Sequence, residues 1–423
     1  MEDERVRSIY LDMLKMSISK LWRRLFPRGL SRSPFLPFLV IAILLLGPTV
    51  AWRLHRLGEF HTIESEIKGD IGALPPQPGG MDSLELHVPA EANSNTPQFV
   101  MLTILPGLGN SVLQITANLP GLGSTPLLAA PTGDDLVNGR SATPNGFNDD
   151  HGAIEFPWGG GLAGSVTPVG AAITIPWGGK QIEASTEASA NSEVAEGGLL
   201  RLSSANSVDK QTQEGNPSVR ATYHNVGGEG RWLSKNDVVV SARLTSASIE
   251  LTLDVKNTGN TPEPVGAGWH PRFLLPANGR GQALIQLPAG SRMQVSPQSL
   301  PTGILEPTAT TERFITRPAL IGSASLDTTI ANPKATGKNA WPTLLNVAAG
   351  YGIRMGSLST SIKSVRVYSP EDANYVSMGV QTNLDDAFGK QWLSPAAAGM
   401  VTLMPGETFQ WKVRLEIFAL PKA

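Results

Sequence analysis

No cysteine occurs in the 423 residues. The chain therefore has no disulfide framework, no thiolate nucleophile and no Cys-ligated zinc or iron–sulfur centre. That absence fits any compartment. Charge is also sparse: Asp, Glu, Lys and Arg make up 17% of the chain, against about 25% in an average globular protein. A long run of helical periodicity is missing outside the N-terminal segment, and no internal repeat is evident. HExxH, the P-loop, the Gly-x-Ser-x-Gly elbow and a dinucleotide fingerprint after a strand are all absent, so no metal or cofactor is expected. Glycine and proline, by contrast, are plentiful at 44 and 33 residues, yet the glycines have no three-residue period, which excludes collagen. With 41% hydrophobic residues and a formal net charge of −2, wholesale disorder is also excluded.

The near-neutral charge hides an asymmetry. Residues 1–56 hold 10 Lys and Arg against 4 acids, which leaves 24 basic and 32 acidic residues in the remainder. An acidic body is a poor partner for a phosphate backbone, so nucleic acid is not expected as a ligand. From Ser33 to Trp52 no residue is charged. At 1.5 Å per residue this segment can just cross a bilayer about 30 Å thick. Basic residues precede it, which orients the N-terminus toward the cytoplasm and the body toward the periplasmic side of an inner membrane. The expectation is a single-pass signal anchor at 33–52 behind a basic tail at 1–32. A cleaved signal peptide is the competing reading, with Thr49-Val50-Ala51 as the small-residue site. Residues 3–26 read either as an amphipathic helix on the inner leaflet or as a solvated tail.

Residues 53–97 read as a linker, with Leu74-Pro-Pro-Gln-Pro-Gly-Gly80 as the clearest breaker cluster. Beyond it the pattern has period two. Ile249, Leu251, Leu253 and Val255 alternate with Glu250, Thr252, Asp254 and Lys256; Phe409, Trp411, Val413, Leu415 and Ile417 alternate with Gln410, Lys412, Arg414 and Glu416. Both predict strands with one dry and one wet face. Val238–Val240, Leu284–Leu287 and Ser364–Tyr368 are further short strands, separated by turns such as Asn257-Thr-Gly-Asn260 and Pro405-Gly406. Many short strands with Gly/Pro turns indicate an all-β sandwich or barrel. Residues 186–217, rich in Ser, Ala, Asn and Gln, read as a long surface loop or edge region.

Of six histidines, His55, His61 and His87 fall near the membrane segment or in the linker. His151 and His224 stand apart, with no close pair to suggest a metal. His270 is the sharpest local signal, in Gly266-Ala-Gly-Trp-His-Pro-Arg-Phe273. Within five residues this stretch offers an acid/base group, an aromatic platform in Trp269 and a cation in Arg272. Aromatic faces suit the C–H faces of sugars, while His and Arg suit hydroxyls and ring oxygens. A packed, hydrogen-bonded histidine is the competing reading.

Several motifs in order resemble the aldose 1-epimerase (galactose mutarotase-like) family. Asn257-Thr-Gly-Asn-Thr-Pro-Glu-Pro-Val-Gly-Ala-Gly-Trp-His-Pro-Arg-Phe273 resembles its N-t-x-x-x-P-x-P-x-x-x-G-x-H-P-Y-F stretch. Val376–Phe388 resembles its v-c-v-E-P-q-T-x-x-x-D-A-f block, and Leu403–Phe409 its closing L-x-P-G-E strand. Leu326-Asp327, Ile104–Asn110 and Glu155-Phe-Pro-Trp-Gly-Gly-Gly161 resemble further elements. The resemblance covers about residues 98–420 and implies a galactose mutarotase-like large β-sandwich (supersandwich) as the sugar-binding domain, with a sugar or glycan as ligand. It implies ring opening of an aldose, in which a carboxylate base takes the C1 hydroxyl proton and a histidine acid protonates the ring oxygen.

Carried over residue by residue, His270 falls on the acid histidine and Asp327 on a sugar-binding aspartate. Trp158 of the Phe-Pro-Trp motif and Gln381 of the later block join Trp269 and Arg272 as candidate sugar contacts. The family's base glutamate falls on Gly379, its second histidine on Gly197, its Asn-Arg pair on Gly160-Gly161, and Arg272 stands where a tyrosine is usual. Glu155, Glu371, Asp385 and Asp386 lie in or beside the matched motifs and are candidates to replace the base, with an ordinary solvated or turn acid as the competing reading for each. Two functional expectations follow: a mutarotase with His270 as acid and a relocated base, or a sugar-binding module without turnover. A third, a structural or assembly partner using the sandwich as scaffold, is less favoured by the resemblance.

Overall fold

The structure is a computed structural model and describes residues 82–421 except 92–93, 130–151, 168–171, 186–192, 214–215, 227–231, 276–278, 297–299, 308–312, 324, 335–339 and 372. The 33–52 segment, its flanking tail and His55, His61 and His151 lie outside the described residues. Among those described, no helix is long and apolar enough to cross a membrane.

Two large antiparallel sheets dominate. The nine-stranded sheet runs in the order Ser207–Gln213, Asn216–His224, Asn236–Leu244, Ser248–Asn257, Thr408–Ala419, Tyr351–Ser357, Ala340–Asn346, Ala283–Gln286 and Ala319–Leu320. The two strands with the clearest alternation are neighbours at its middle. Leu253 stands opposite Trp411, Leu251 opposite Val413 and Ile249 opposite Leu415, all of them buried. The wet face of the same pair carries Glu250, which meets Arg414 and Lys412 across the strands. Alternation of apolar and charged residues thus sets both the register and the choice of face.

The second sheet runs Pro301–Pro307, Ala289–Val295, Leu326–Lys334, Ser364–Ser369, Tyr375–Gln381, Gly268–Trp269 and Ile154–Glu155, with Arg272–Leu274 also pairing to Tyr375–Gln381. Smaller sheets complete the fold, among them the four strands Leu84–His87, Gln98–Leu105, Ser111–Leu119 and Gly123–Pro126. Buried side chains from these sheets form one continuous hydrophobic cluster. The only α-helix among the described residues is the short Arg313–Thr316.

Two segments are more ordered than their composition suggests. The 53–97 linker contains the strand Leu84–His87, whose Leu84 and Leu86 are buried while Glu85 and His87 face out. Within 186–217 lie Val194–Glu196, a 3-10 turn at Leu200–Leu202 and the edge strand Ser207–Gln213. Leu199 and Leu200 anchor that turn, their amides donating to the Phe156 carbonyl at 2.6 and 2.9 Å.

Candidate functional site

In antiparallel pairs, residues directly opposite share a face, as do residues two apart along a strand. Applied to the second sheet, this rule assembles three rows on one face. Glu155, Gly268, Gln381 and Ser364 stand opposite one another. Two residues further along come Gly379, Arg366 and Thr329, beside His270. Next come Arg272, Ser377, Tyr368 and Asp327. His270, Asp327 and Arg272, chosen from separate stretches of sequence, therefore share this face.

At the outer end of the face the groups are accessible. The Asp327 and Arg366 side chains are 41% and 31% exposed, and they pair through Nε–Oδ1 at 3.3 Å and Nη2–Oδ2 at 3.4 Å. Arg366 Nη1 also lies 3.9 Å from Asp385 Oδ2. The Arg366 guanidinium sits 5.8 Å from the centre of the Tyr368 ring, and that of Arg272 sits 5.0 Å from the centre of the Tyr375 ring. Burial, then the neighbouring Tyr375 and Asp327, push the Tyr368 hydroxyl above its ordinary value, against the pull of Arg272 and Arg366. Tyr368 thus stays a neutral donor. Two tyrosines, two guanidiniums and a carboxylate make a surface with apolar ring faces and several hydrogen-bonding edges.

At the inner end the groups are closed off. His270 Nδ1 lies 3.1 Å from Glu155 Oε1; the carboxylate is fully buried and the imidazole only 12% exposed. The other oxygen of Glu155 accepts the Gly160 amide at 2.7 Å. Burial alone would raise this carboxyl, but His270, the Gly160 amide and the charge of Arg201 hold it below its ordinary value. Nε2 of His270 is also shut off from solvent. The ring lies directly over Gly379, where even a β-carbon would overlap the imidazole. His270 therefore occupies the space in which a side chain at 379 would stand.

The other carboxylates are used differently. Asp385 accepts the Gln381 side-chain amide at 3.0 Å. Asp386 accepts the Ala163 amide at 2.9 Å and the Gln391 side-chain amide at 2.8 Å, and burial raises its carboxyl. Glu371 is exposed. Gly160 adopts a φ of +69°, and any side chain there would strike Asp385, so a larger residue at 160 is excluded twice over.

Three of the expected sugar contacts lie inside the protein. Trp269 is fully buried, with its indole N–H donating to the Gly152 carbonyl at 3.2 Å. Strand alternation explains this: when His270 and Gly268 face one way, Trp269 faces the core. Trp158 is likewise fully buried, its ring 5.6 Å from that of Trp232. Gln381 is buried and donates to the Asn383 carbonyl at 2.7 Å. None of the three offers a surface to a ligand here. His224 is remote from the site and pairs with Asp237 at 2.6 Å. Conversely, sequence reasoning overlooked Arg366, Tyr368, Tyr375 and Ser377. The alternation of Ser364-Val-Arg-Val-Tyr368, recognised as a strand, already put Arg366 and Tyr368 on one face.

Comparison with known proteins agrees with this architecture. Residues 158–416 match the family profile described as aldose 1-epimerase. Solved structures with the same fold include a galactose mutarotase-like protein from Clostridium acetobutylicum, 16% identical with a TM-score of 0.60, the alignment covering 80% of this chain and 99% of that one. An aldose epimerase homologue from C. elegans is 12% identical with a TM-score of 0.58, covering 80% and 99%. A galactose 1-epimerase from Lactobacillus acidophilus is 11% identical with a TM-score of 0.55, covering 81% and 100%. No curated protein sequence matches the chain.

Proposed function

The chain belongs to the aldose 1-epimerase family, and from that premise we propose that it is a carbohydrate-binding member which holds a sugar or glycan on the polar face of the second sheet without opening its ring. The observation that carries this reading is the posture of His270. Ring opening needs an imidazole nitrogen within hydrogen-bond reach of the sugar and a base on the C1 hydroxyl. Here Nδ1 is engaged by Glu155, Nε2 is closed to solvent, and the resemblance in sequence puts the family's base glutamate at position 379, a glycine in this chain. The accessible groups, Asp327, Arg366, Tyr368, Tyr375 and Arg272, are binding groups. Fold and chemistry are separable, and this arrangement keeps the first with the second reduced.

One observation favours turnover as the second reading. Glu155 and His270 form a carboxylate–imidazole pair at 3.1 Å, which would act as an acid–base unit if the ring rotated off Gly379. Anomer exchange measured by NMR with glucose and galactose separates the two. Sugar-dependent shifts without faster exchange are expected, weakened about tenfold by Tyr368→Ala or Arg366→Ala. Exchange accelerated by the wild type and abolished in His270→Ala would establish the enzyme instead. As to location, residues 33–52 act in this proposal as the membrane anchor, with the domain on the periplasmic side. Support comes from their lack of charge and the preceding basic residues. Alkaline extraction of membranes would release the chain if that placement were wrong.

A further inference from the structure

A second concave site lies away from the sheet face. Three turns, at Asn225–Val226, Trp232–Lys235 and Thr258–Thr261, together with Lys180 of a neighbouring hairpin, line an open cavity of about 710 Å³. Ligand sites of small molecules fall in this range, roughly 300–1,000 Å³. None of these residues belongs to the three rows that carry His270, Arg366 and Asp327.

The wall of the cavity is stapled from behind. Asn257 is fully buried. Its carbonyl oxygen accepts the Ser234 hydroxyl at 2.8 Å and the Gly259 amide at 3.0 Å. Its amide donates to the Thr261 carbonyl at 2.8 Å and the Leu403 carbonyl at 2.9 Å. The Thr261 hydroxyl in turn donates to the Leu233 carbonyl at 2.7 Å, and the Thr258 and Gly259 amides both reach the Lys235 carbonyl. All but the Ser234–Asn257 bond fix a backbone group in place. The side chains of Asn225, Thr258 and Asn260, also in the lining, take no part in them.

The charged residues of the lining are Lys180 and Lys235, both cationic in a body that carries eight more acids than bases beyond residue 56. Among the described residues, the acid behind the wall is Glu263. It is fully buried next to Asn236, whose side-chain amide it accepts at 3.3 Å. Burial raises its carboxyl to about 7, against the opposing pull of Asn236 and Trp232. Its charge is thus partly suppressed near neutrality and opposes an anion only weakly.

We propose that this cavity is a second ligand site, for a polyhydroxylated anion: a sugar phosphate or a sugar acid, whose anionic group meets Lys180 and Lys235 and whose hydroxyls meet Asn225, Thr258 and Asn260. The bonds around Asn257 preorganise the Trp232–Lys235 and Thr258–Thr261 walls, which lowers the ordering cost of binding there. Lys180 and Lys235 are exposed, so the attraction falls as salt rises.

Calorimetric titration of the full chain tests this with four probes: glucose 6-phosphate, glucuronate, glucose and inorganic phosphate. Glucose 6-phosphate or glucuronate should bind, and the Lys180→Ala/Lys235→Ala double variant should weaken that binding about tenfold. Thr258→Asp should weaken it by placing a like charge in the cavity. Arg366→Ala/Tyr368→Ala should leave it unchanged, which separates this site from the sheet face. Binding of the phosphate ester alone or of the uronate alone assigns the anion, and either supports the proposal. Undiminished binding by the lysine double variant would overturn it, as would loss in the Arg366/Tyr368 variant. Inorganic phosphate binding as tightly as the sugar phosphate would reduce the cavity to a simple anion site and refute the hydroxyl contacts. Silence from both anionic sugars would end the idea outright.

Discussion

At position 379 the lack of a side chain decides where an imidazole rests. A methyl group there would overlap the His270 ring, so Gly379→Ala must push the ring away from Gly379 and strain its contact with Glu155. Overpacking of this kind costs about 1–3 kcal/mol. Chemical denaturation should register the loss, and the histidine ring resonances should move. His270→Ala is expected to be costlier, about 3–5 kcal/mol, because it strands a buried carboxylate. Glu155 titrates below its ordinary value in the folded protein, so its pairing stabilises the fold above that ordinary value and fades as pH falls. The gap between wild type and His270→Ala should accordingly narrow in acid, as read from urea midpoints. Glu263 has the opposite sign. Its folded value is raised from 4.5 to about 7, so the stability gained with the neutral form is full below about 4.5 and is lost as pH rises toward 7. The loss is about 3 kcal/mol, taking 1.36 kcal/mol per unit. Glu263→Gln should flatten this limb of the stability profile, and an unaltered slope would assign it to another group.

Elements were readable from sequence wherever one face is dry. The strands around Leu253 and Trp411 announce themselves by nine or ten residues of strict alternation, and they pair with each other. Trp411→Ala should cost about 3–5 kcal/mol, since the indole is fully buried opposite Leu253; a smaller loss by denaturant titration would mean that the core closes over the gap. Shorter elements were harder to read. Leu84–His87 alternates for four residues only, too briefly to stand out beside a proline-rich stretch. The site was legible in part. His270, Arg272 and Asp327 each sit in a local motif, and the rows of the sheet bring them together. The burial of Trp269 is not legible from composition near His270, which says nothing about which side of the strand the indole takes. Glu155 lay among four candidate carboxylates, and only the pairing of Ile154–Glu155 with Gly268–Trp269 distinguishes it from Asp385, Asp386 and Glu371. Register is a long-range property, and a single sequence carries it only through patterns such as these.

For the molecule as a whole, the family match spans residues 158–416, most of the strands of both large sheets. The nine-stranded sheet has a consequence for synthesis. Its central strand, Thr408–Ala419, joins Ser248–Asn257 on one side to Tyr351–Ser357 on the other. As a ribosome delivers the chain, four strands on one flank and four on the other must wait, each group with a bare apolar edge, until these twelve residues emerge. Non-local closure of this type is slow and exposes pairing edges. Nascent chains that stall before residue 408 should depend on chaperones and be cut readily by proteases, and release of this last segment should mark the moment at which the domain becomes resistant.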